Sequence, residues 1–486
     1  MKKKTFKFFL LGIIFLFTLL IITSAVGKNV TITVCASDNN WQAQCRDEGL
    51  LKALFKEVEK KVNLTIKLIL PPNSQYKEKL NLLLTSGDKP DAFRVFQAMQ
   101  FLPTYIARGD VIPLDNYIKK SKLASAIDPK IYKYIPADDG KIYYVPVNKP
   151  TSKFIMLRKD LVEKFGIKLS STPTTEEFLN EMKKVVAADK KMIPFCFPKF
   201  IDNFQFFYNS FGTYGNIYPK DGKYIDGFNT PQAKEALVYI KKLYDEGVLD
   251  KEFITNENAK MRENLAKGLA VANIDYYFRY QYYIEQSDLA KAPTDFIPIY
   301  KLVGPRGEGG SLNEAIQDCW AISNTCKNPD AAFKFIENQV FNADIREMTS
   351  IGLKNAHYKV DANGVIGATE QATNSGYKLS ANYAFESYPD FSKNRGFKWS
   401  EAITKSLNRQ IEISKESVKH TGPAYPAPAG KSAKFDEVNL SLKAQREATA
   451  ASVVLGSKSI EDAFKEYENY WNSISGDKML EELNKK

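Results

Sequence analysis

Histidine is almost absent from this chain: His357 and His420 are the only two in 486 residues. A Ser-His-Asp hydrolytic triad would have to use one of them, and no G-x-S-x-G elbow accompanies either, which argues against that class. Cysteine is scarce as well. Cys35, Cys45, Cys196, Cys319 and Cys326 are too widely spaced for a disulfide framework, and an odd number leaves one unpaired. Two short-range pairings stay open, Cys35 with Cys45 and Cys319 with Cys326. Neither cysteine nor histidine spacing suggests a zinc site. No run of five or more basic residues occurs, so a formal net charge of +11 reads as a soluble surface near an anionic envelope, with no nucleic-acid partner. Beyond residue 27 no apolar run is long enough to span a membrane.

Phosphate and calcium motifs fail on inspection too. Gly430-Lys431-Ser432 ends like a phosphate loop, but Tyr425 stands where the first glycine belongs and prolines crowd the segment. Gly304 to Gly310 lacks the G-x-G-x-x-G order and reads as a loop. Asp361-Ala362-Asn363-Gly364 starts like a calcium loop, yet Ile366 occupies the required glycine position, and a β-hairpin turn is expected instead. No cofactor and no metal are expected.

What is present begins with an export signal. Lys2, Lys3, Lys4 and Lys7 precede an apolar run from Phe8 to Ile22, broken only by Gly12 and Thr18, and Ala25-Val26-Gly27 offers small residues for a peptidase. Cleavage is expected after Gly27, with Ala25 as the alternative, and a retained anchor stays open. No cysteine sits at the cleavage point, so lipidation is not expected. The protein is expected outside the cell, at its surface. Residues 1–27 hold four lysines and no acid, which leaves the mature part a formal charge of about +7.

The mature part is long for one domain. Val30 to Cys35 alternates as a strand, Leu50, Leu54, Val58 and Val62 recur at helical spacing, and Leu64 to Leu70 alternates again: a β-α-β unit. A helix over 76–85 leads through a Gly/Pro turn to a buried strand over 91–96. That order predicts a mainly parallel sheet covered on both faces, with ligands beyond the carboxyl ends of its strands, near Asp38-Asn39-Asn40-Trp41 and the residues after Phe93. Further helices are expected over 174–187 with Glu177 in a capping box, over 231–246 stopping at Gly247, and over 460–471. Thr421 to Gly430, rich in Pro and Ala, reads as an ordered arm.

Aromatics make up 13% of the residues, enough to furnish both core and site. Aromatic faces stack on apolar ring faces of a ligand, and planar amides and carboxylates pair with its hydroxyls. Four clusters combine the two chemistries: Asp38-Asn39-Asn40-Trp41, Asp202-Asn203-Phe204, Asp275-Tyr276-Tyr277, and Tyr383 with Glu386 and Tyr388. A glycosidase needs only two carboxylates across a cleft, so that reading stays open, as does an envelope adhesin.

Several stretches together resemble the extracellular solute-binding proteins of ABC importers, carbohydrate type. They are Thr85-Ser86-Gly87-Asp88-Lys89-Pro90-Asp91, Gly109-Asp110-Val111-Ile112-Pro113-Leu114-Asp115, Asp139 to Pro146, Leu157 to Leu161, Leu243 to Gly247, Lys267 to Ala270, and Asn328 to Ala332. The resemblance implies an α/β, two-lobed periplasmic-binding-protein-like fold with a hinge and an interlobe ligand cleft. One lobe is expected to comprise 28–148 plus about 291–350, the other 149–290 plus about 351–486. It further implies Asp91 and Asn148 at the cleft, faced by Asp275, Tyr276 and Tyr277 from the second lobe. The implied activity is non-enzymatic capture of a carbohydrate by a monomer that delivers it to the permease subunits of an ABC transporter.

Overall fold

Alternating apolar residues make Thr31–Cys35 (β1) and Thr65–Ile69 (β2) strands, and the helical-period residues between them form the helix Glu48–Val62. The strands pair in parallel from Thr31 opposite Thr65 to Cys35 opposite Ile69, while Leu54, Val58 and Val62 bury the inner face of the helix. This computed structural model describes residues 30–37, 48–122, 124, 127–147, 150–199, 201–375, 377, 379 and 396–485. The export signal, Cys45, Asp38, Asn39, Asn40, Trp41, Asn148 and the Tyr383, Glu386, Tyr388 cluster lie outside the described residues.

The helix Tyr76–Ser86 ends on Gly87, whose φ of +90° only glycine adopts without strain, and Ala92–Phe96 (β3) follows. Val145–Pro146 (β4) closes the first stretch. Next come Thr151–Arg158 (β5), Ile193–Cys196 (β6), the hairpin of Ile217–Lys220 (β7) and Lys223–Asp226 (β8), Ala270–Tyr276 (β9), Phe296–Ile299 (β10) and Leu312–Glu314 (β11). Asp318–Ile322 (β12) and a second hairpin, Tyr358–Val360 (β13) with Ile366–Ala368 (β14), complete the strands among the described residues. The expected turn at Asp361–Gly364 joins that hairpin, with Asp361 accepting from the Asn363 and Val365 N–H groups.

Two five-stranded sheets define two lobes. The first runs β2-β1-β3-β12-β4, and the second runs β10-β5-β9-β6 with β11 also on β5. Parallel pairing holds for β1 with β2 and β3, but the second sheet departs from the mainly parallel expectation. There β5 pairs antiparallel with β9, β10 and β11, and only β6 with β9 is parallel. The long strand β5 carries β9 along one edge and β10 and β11 along the other.

The lobes have separate cores. Phe93, Trp320 and Phe335 anchor one; Phe154, Phe195 and Tyr283 anchor the other. The chain passes between them after Val147, at 315–317, and again after the helix Ala343–Ile351. Both β10 and β11, which a boundary near residue 291 would give to the first lobe, belong to the second sheet. The capping box at Thr174 forms as expected, with Glu177 reaching back to the Thr174 N–H, and the helix Pro231–Asp245 stops just before Gly247. C-terminal helices Ala433–Val454, Ile460–Ser473 and Gly476–Asn484 bury Leu442, Phe464, Tyr467 and Met479 in the second core. Among the described residues no helix is long and apolar enough to cross a membrane. The described cysteines, Cys35, Cys196, Cys319 and Cys326, are all free, so Cys319 and Cys326 do not pair.

Candidate ligand-binding cleft

At its carboxyl end β3 turns into the helix Ala98–Ala107 within a single residue. Gln97 makes that turn in the left-handed region at φ +48° and ψ +50°, and the Ala98 N–H donates to the Gln317 carbonyl at 2.9 Å. A glutamine held there stores strain, and its exposed side chain lines a cavity of about 810 Å³ between the lobes. Arg94, Phe96, Met99 and Gln100 line the same wall. Opposite them stand Lys153 of β5, Tyr276 of β9, Phe278 and Arg279 just beyond it, and Asn313 and Glu314 of β11. The crossing segment adds Ile316 and Gln317, and the arm Thr421 to Gly430 contributes Ala424 and Tyr425.

Hydrogen bonds and ion pairs knit the floor and walls of the cavity. The Tyr276 hydroxyl donates to Glu314 Oε2 at 2.5 Å and accepts from Gln317 Nε2 at 2.8 Å. Burial, reinforced by Glu314, pushes the Tyr276 phenol well above its usual range. Lys153 pairs with Glu314 at 2.7 Å, donates to Asn203 Oδ1 at 3.2 Å, and lies 4.5 Å over the Tyr276 ring. Arg94 pairs with Asp318 at 2.8 Å, where burial outweighs the arginine and raises the carboxyl. Arg262 grips Asp275 through Nε at 2.7 Å and Nη2 at 3.1 Å. Burial opposes the Asp275 charge, but Arg262 overrides it and holds the carboxyl at about 2.

Aromatic surface lines the same space. The Tyr276 and Phe278 rings stack at 4.7 Å, Tyr76 meets Phe96 edge-on at 4.9 Å, and Tyr425 packs against Tyr214 and Tyr218 at 5.1 Å each. Phe96, Tyr214 and Tyr425 are only half-buried, leaving ring surface towards the cavity. Arg and amide donors beside partly open rings suit a ligand that is polar at its edges and apolar on its faces.

Of the residues expected from sequence, Asp202, Asn203 and Tyr276 line this cavity. Phe204 does not: it is fully buried against Phe197 and Phe253. Asp275 lies beneath the floor at 1% exposure, and Tyr277 is buried in the second core. Asp91 sits at the amino end of β3, where it accepts from the Thr33 N–H at 2.8 Å, far along the strand from the carboxyl end that meets the cavity. The residues after Phe93 do reach the rim, as the rule for open sheets requires. Sequence reading missed Arg94, Lys153, Arg262, Arg279 and Glu314. One of these carried a signal: Arg94 interrupts the otherwise apolar β3, and a charge inside a buried strand needs a reason.

Comparison with known proteins places the chain. A family model for the bacterial extracellular solute-binding protein matches residues 43–342, more than half of it. Lipoprotein LipO of Bacillus subtilis (strain 168) is 24% identical over 497 residues, spanning 95% of this chain and 93% of that protein. The fructooligosaccharide ABC transporter substrate-binding protein FusA of Streptococcus pneumoniae serotype 4 is 24% identical, over 64% of this chain and 60% of that one. The crystal structure of alginate-binding protein AlgQ2 without calcium ion superposes with a TM-score of 0.68 at 18% identity, covering 94% of this chain and 98% of that one. With two sheets built around one polar, aromatic-walled cleft and that model matched across both of them, the chain belongs to the bacterial extracellular solute-binding protein family.

Proposed function

We propose that this protein captures an oligosaccharide outside the cell and delivers it, without chemical change, to the permease of an ABC transporter. One observation carries the reading: a cavity of about 810 Å³ between two lobes that mixes amides, ion-paired carboxylates and partly open aromatic rings. That volume lies high in the range of roughly 300–1,000 Å³ usual for small-molecule sites and suits a chain of sugar rings better than a single one. Support also comes from FusA, whose own name records a fructooligosaccharide role. All three lining acids are tied to cations, Asp202 to Lys443, Glu314 to Lys153 and Asp318 to Arg94, which favours holding a ligand over hydrolysing one.

The crossings after Val147 and at 315–317 serve as hinges, and closure is driven by contacts that only the closed, occupied cleft makes. The first lobe comprises 30–146 and 318–351, and the mature monomer begins at Lys28 without a lipid tether. Calorimetry and thermal shift with size-fractionated oligosaccharides test the reading. The expected result is a saturable stabilisation by at least one oligosaccharide class, with no new reducing ends after incubation. Release of reducing ends would move the assignment to a glycosidase, and retention on purified cell wall without any response to soluble sugar would move it to an adhesin.

A further inference from the structure

The cleft carries more positive charge than its own carboxylates neutralise. Among the described lining residues, cations come from both lobes: Lys77, Arg94 and Arg346 from the first, Lys153, Arg262 and Arg279 from the second. Against these six, the lining acids are Asp202, Glu314 and Asp318. Asp318 and Glu314 are committed to Arg94 and Lys153, and Asp202 is held by Lys443 from behind the wall. Buried Asp275 lies within the influence of both Arg262 and Arg279, yet of these two cations it pairs with Arg262.

Arg94, Lys153 and Arg262 are thus ion-paired, whereas Lys77 and Arg279 lie against aromatic rings. The Lys77 ammonium lies 4.2 Å over Phe101, and burial lowers its pKa. The Arg279 guanidinium lies 5.3 Å from the Phe278 ring and 5.4 Å from the Tyr282 ring, and its Nε is buried with no hydrogen-bond partner. Lys77 stands on one wall and Arg279 on the other, so closing the empty cleft brings like charges together. A neutral ligand does nothing to offset that repulsion. An anion held between the walls removes it and gives the half-buried Arg279 guanidinium an acceptor.

Resting on the oligosaccharide reading, we infer that the ligand is acidic: a saccharide bearing carboxylates, clamped by Arg279 from the second lobe and Lys77 from the first. Sulfated sugars share the negative charge, and a guanidinium fork also pairs with a tetrahedral oxyanion, so they form a separate arm of the test.

Calorimetry on the mature-length protein separates these cases with uronic-acid oligomers of two backbones, their methyl esters of equal length, neutral glucose and fructose oligomers, and a sulfated oligosaccharide. At least one uronic-acid oligomer is expected to bind ten-fold or more tighter than its methyl ester and to weaken as salt rises from low to physiological strength. Arg279→Gln and Lys77→Gln are each expected to lower that affinity about ten-fold or more, while Lys241→Gln on the outer surface leaves it unchanged. Equal binding of ester and acid, or tight salt-insensitive binding of a neutral oligomer, overturns the acidic assignment and leaves oligosaccharide capture standing. Binding of the sulfated ligand alone overturns the carboxylate. No binding by any member of the panel overturns both readings together.

Discussion

The Arg262 guanidinium and the Asp275 carboxylate form a two-pronged ion pair directly beneath the cleft floor, one residue before Tyr276 on β9. Tyr283 adds a third bond to the same carboxylate at 2.8 Å, and the Tyr276 N–H a fourth at 2.9 Å. The pair thus fixes the strand end that presents Tyr276 and Phe278 to the cavity.

Removing one partner strands the other. Asp275→Asn is expected to cost about 3–5 kcal/mol in urea unfolding, because Arg262 is left as a partly buried, uncompensated charge. The acid limb carries a second signature. The Asp275 carboxyl is held at about 2, below the usual 3.8 of an aspartate, so its contribution is present above 3.8 and lost as the pH falls towards 2. The native protein should lose about 2 kcal/mol more than Asp275→Asn between pH 4 and pH 2. Equal pH slopes for the two proteins would show that the pair carries no such coupling.

Glu285 works in the opposite direction. Burial, with Asp288 adding to it, pushes this carboxyl up to about 7 despite the hydrogen bond from Gln281. A folded-state pKa raised above the unfolded one means that the native state holds its proton longer, so stability falls as the pH rises from about 4.5 to about 7. Glu285→Gln keeps the shape and abolishes the charge. It is expected to raise stability at pH 8 by something on the order of 1–3 kcal/mol and to change little at pH 4. Thermal midpoints across that range are the measurement, and a variant less stable than the native protein at pH 8 would reverse the sign argued here.

Gln97 carries strain that a single substitution can read. A non-glycine residue in the left-handed region costs roughly 1–2 kcal/mol, and glycine escapes that cost while giving back about 0.5–1 kcal/mol in unfolded-state entropy. Gln97→Gly is therefore expected to hold or modestly raise stability, whereas Gln97→Val, β-branched in the same conformation, lowers it by at least about 1 kcal/mol. Both variants lose the amide that faces the cavity, so both should bind more weakly. Urea unfolding alongside ligand titration separates the two effects.

Local chemistry was readable wherever neighbours in sequence are also neighbours in space. The Thr174 capping box, the β-α-β start, the stop near Gly247 and the Asp361 turn all form within a few residues, and each appears where its residues place it. The cleft obeys another logic. Lys153 meets Glu314 across 161 positions, and Asp202 meets Lys443 across 241, so no local pattern announces either pair. Asp275 and Phe204 mislead for a related reason: polar or aromatic composition marks a loop and a floor equally well, and only the direction of the side chain, set by alternation along β9 or by the packing of Phe197 and Phe253, decides which it is. Asp91 lies on the correct strand but at the wrong end of it.

The arm Thr421 to Gly430 leaves and rejoins the second lobe but touches both, and it brings Tyr425 to the cavity. The Gly422 N–H donates to the Ser311 carbonyl in the second lobe at 3.0 Å, and the Ala427 N–H donates to the Met99 carbonyl in the first at 3.0 Å. Gly430 ends it at φ +78°, and a Cβ there would meet the Ala107 Cβ at 2.3 Å. Gly430→Ala therefore combines a disfavoured conformation with a clash against a helix that lines the cleft, and is expected to free the first-lobe end of the arm. Hydrogen exchange at the Ala427 amide should accelerate while the Gly422 amide stays protected. Tyr425→Ala leaves the tether in place and removes only the ring, so it is expected to weaken binding by about 0.5–1.5 kcal/mol without altering either amide. If Gly430→Ala leaves Ala427 exchange unchanged, the arm's hold on the first lobe lies elsewhere than in that close approach.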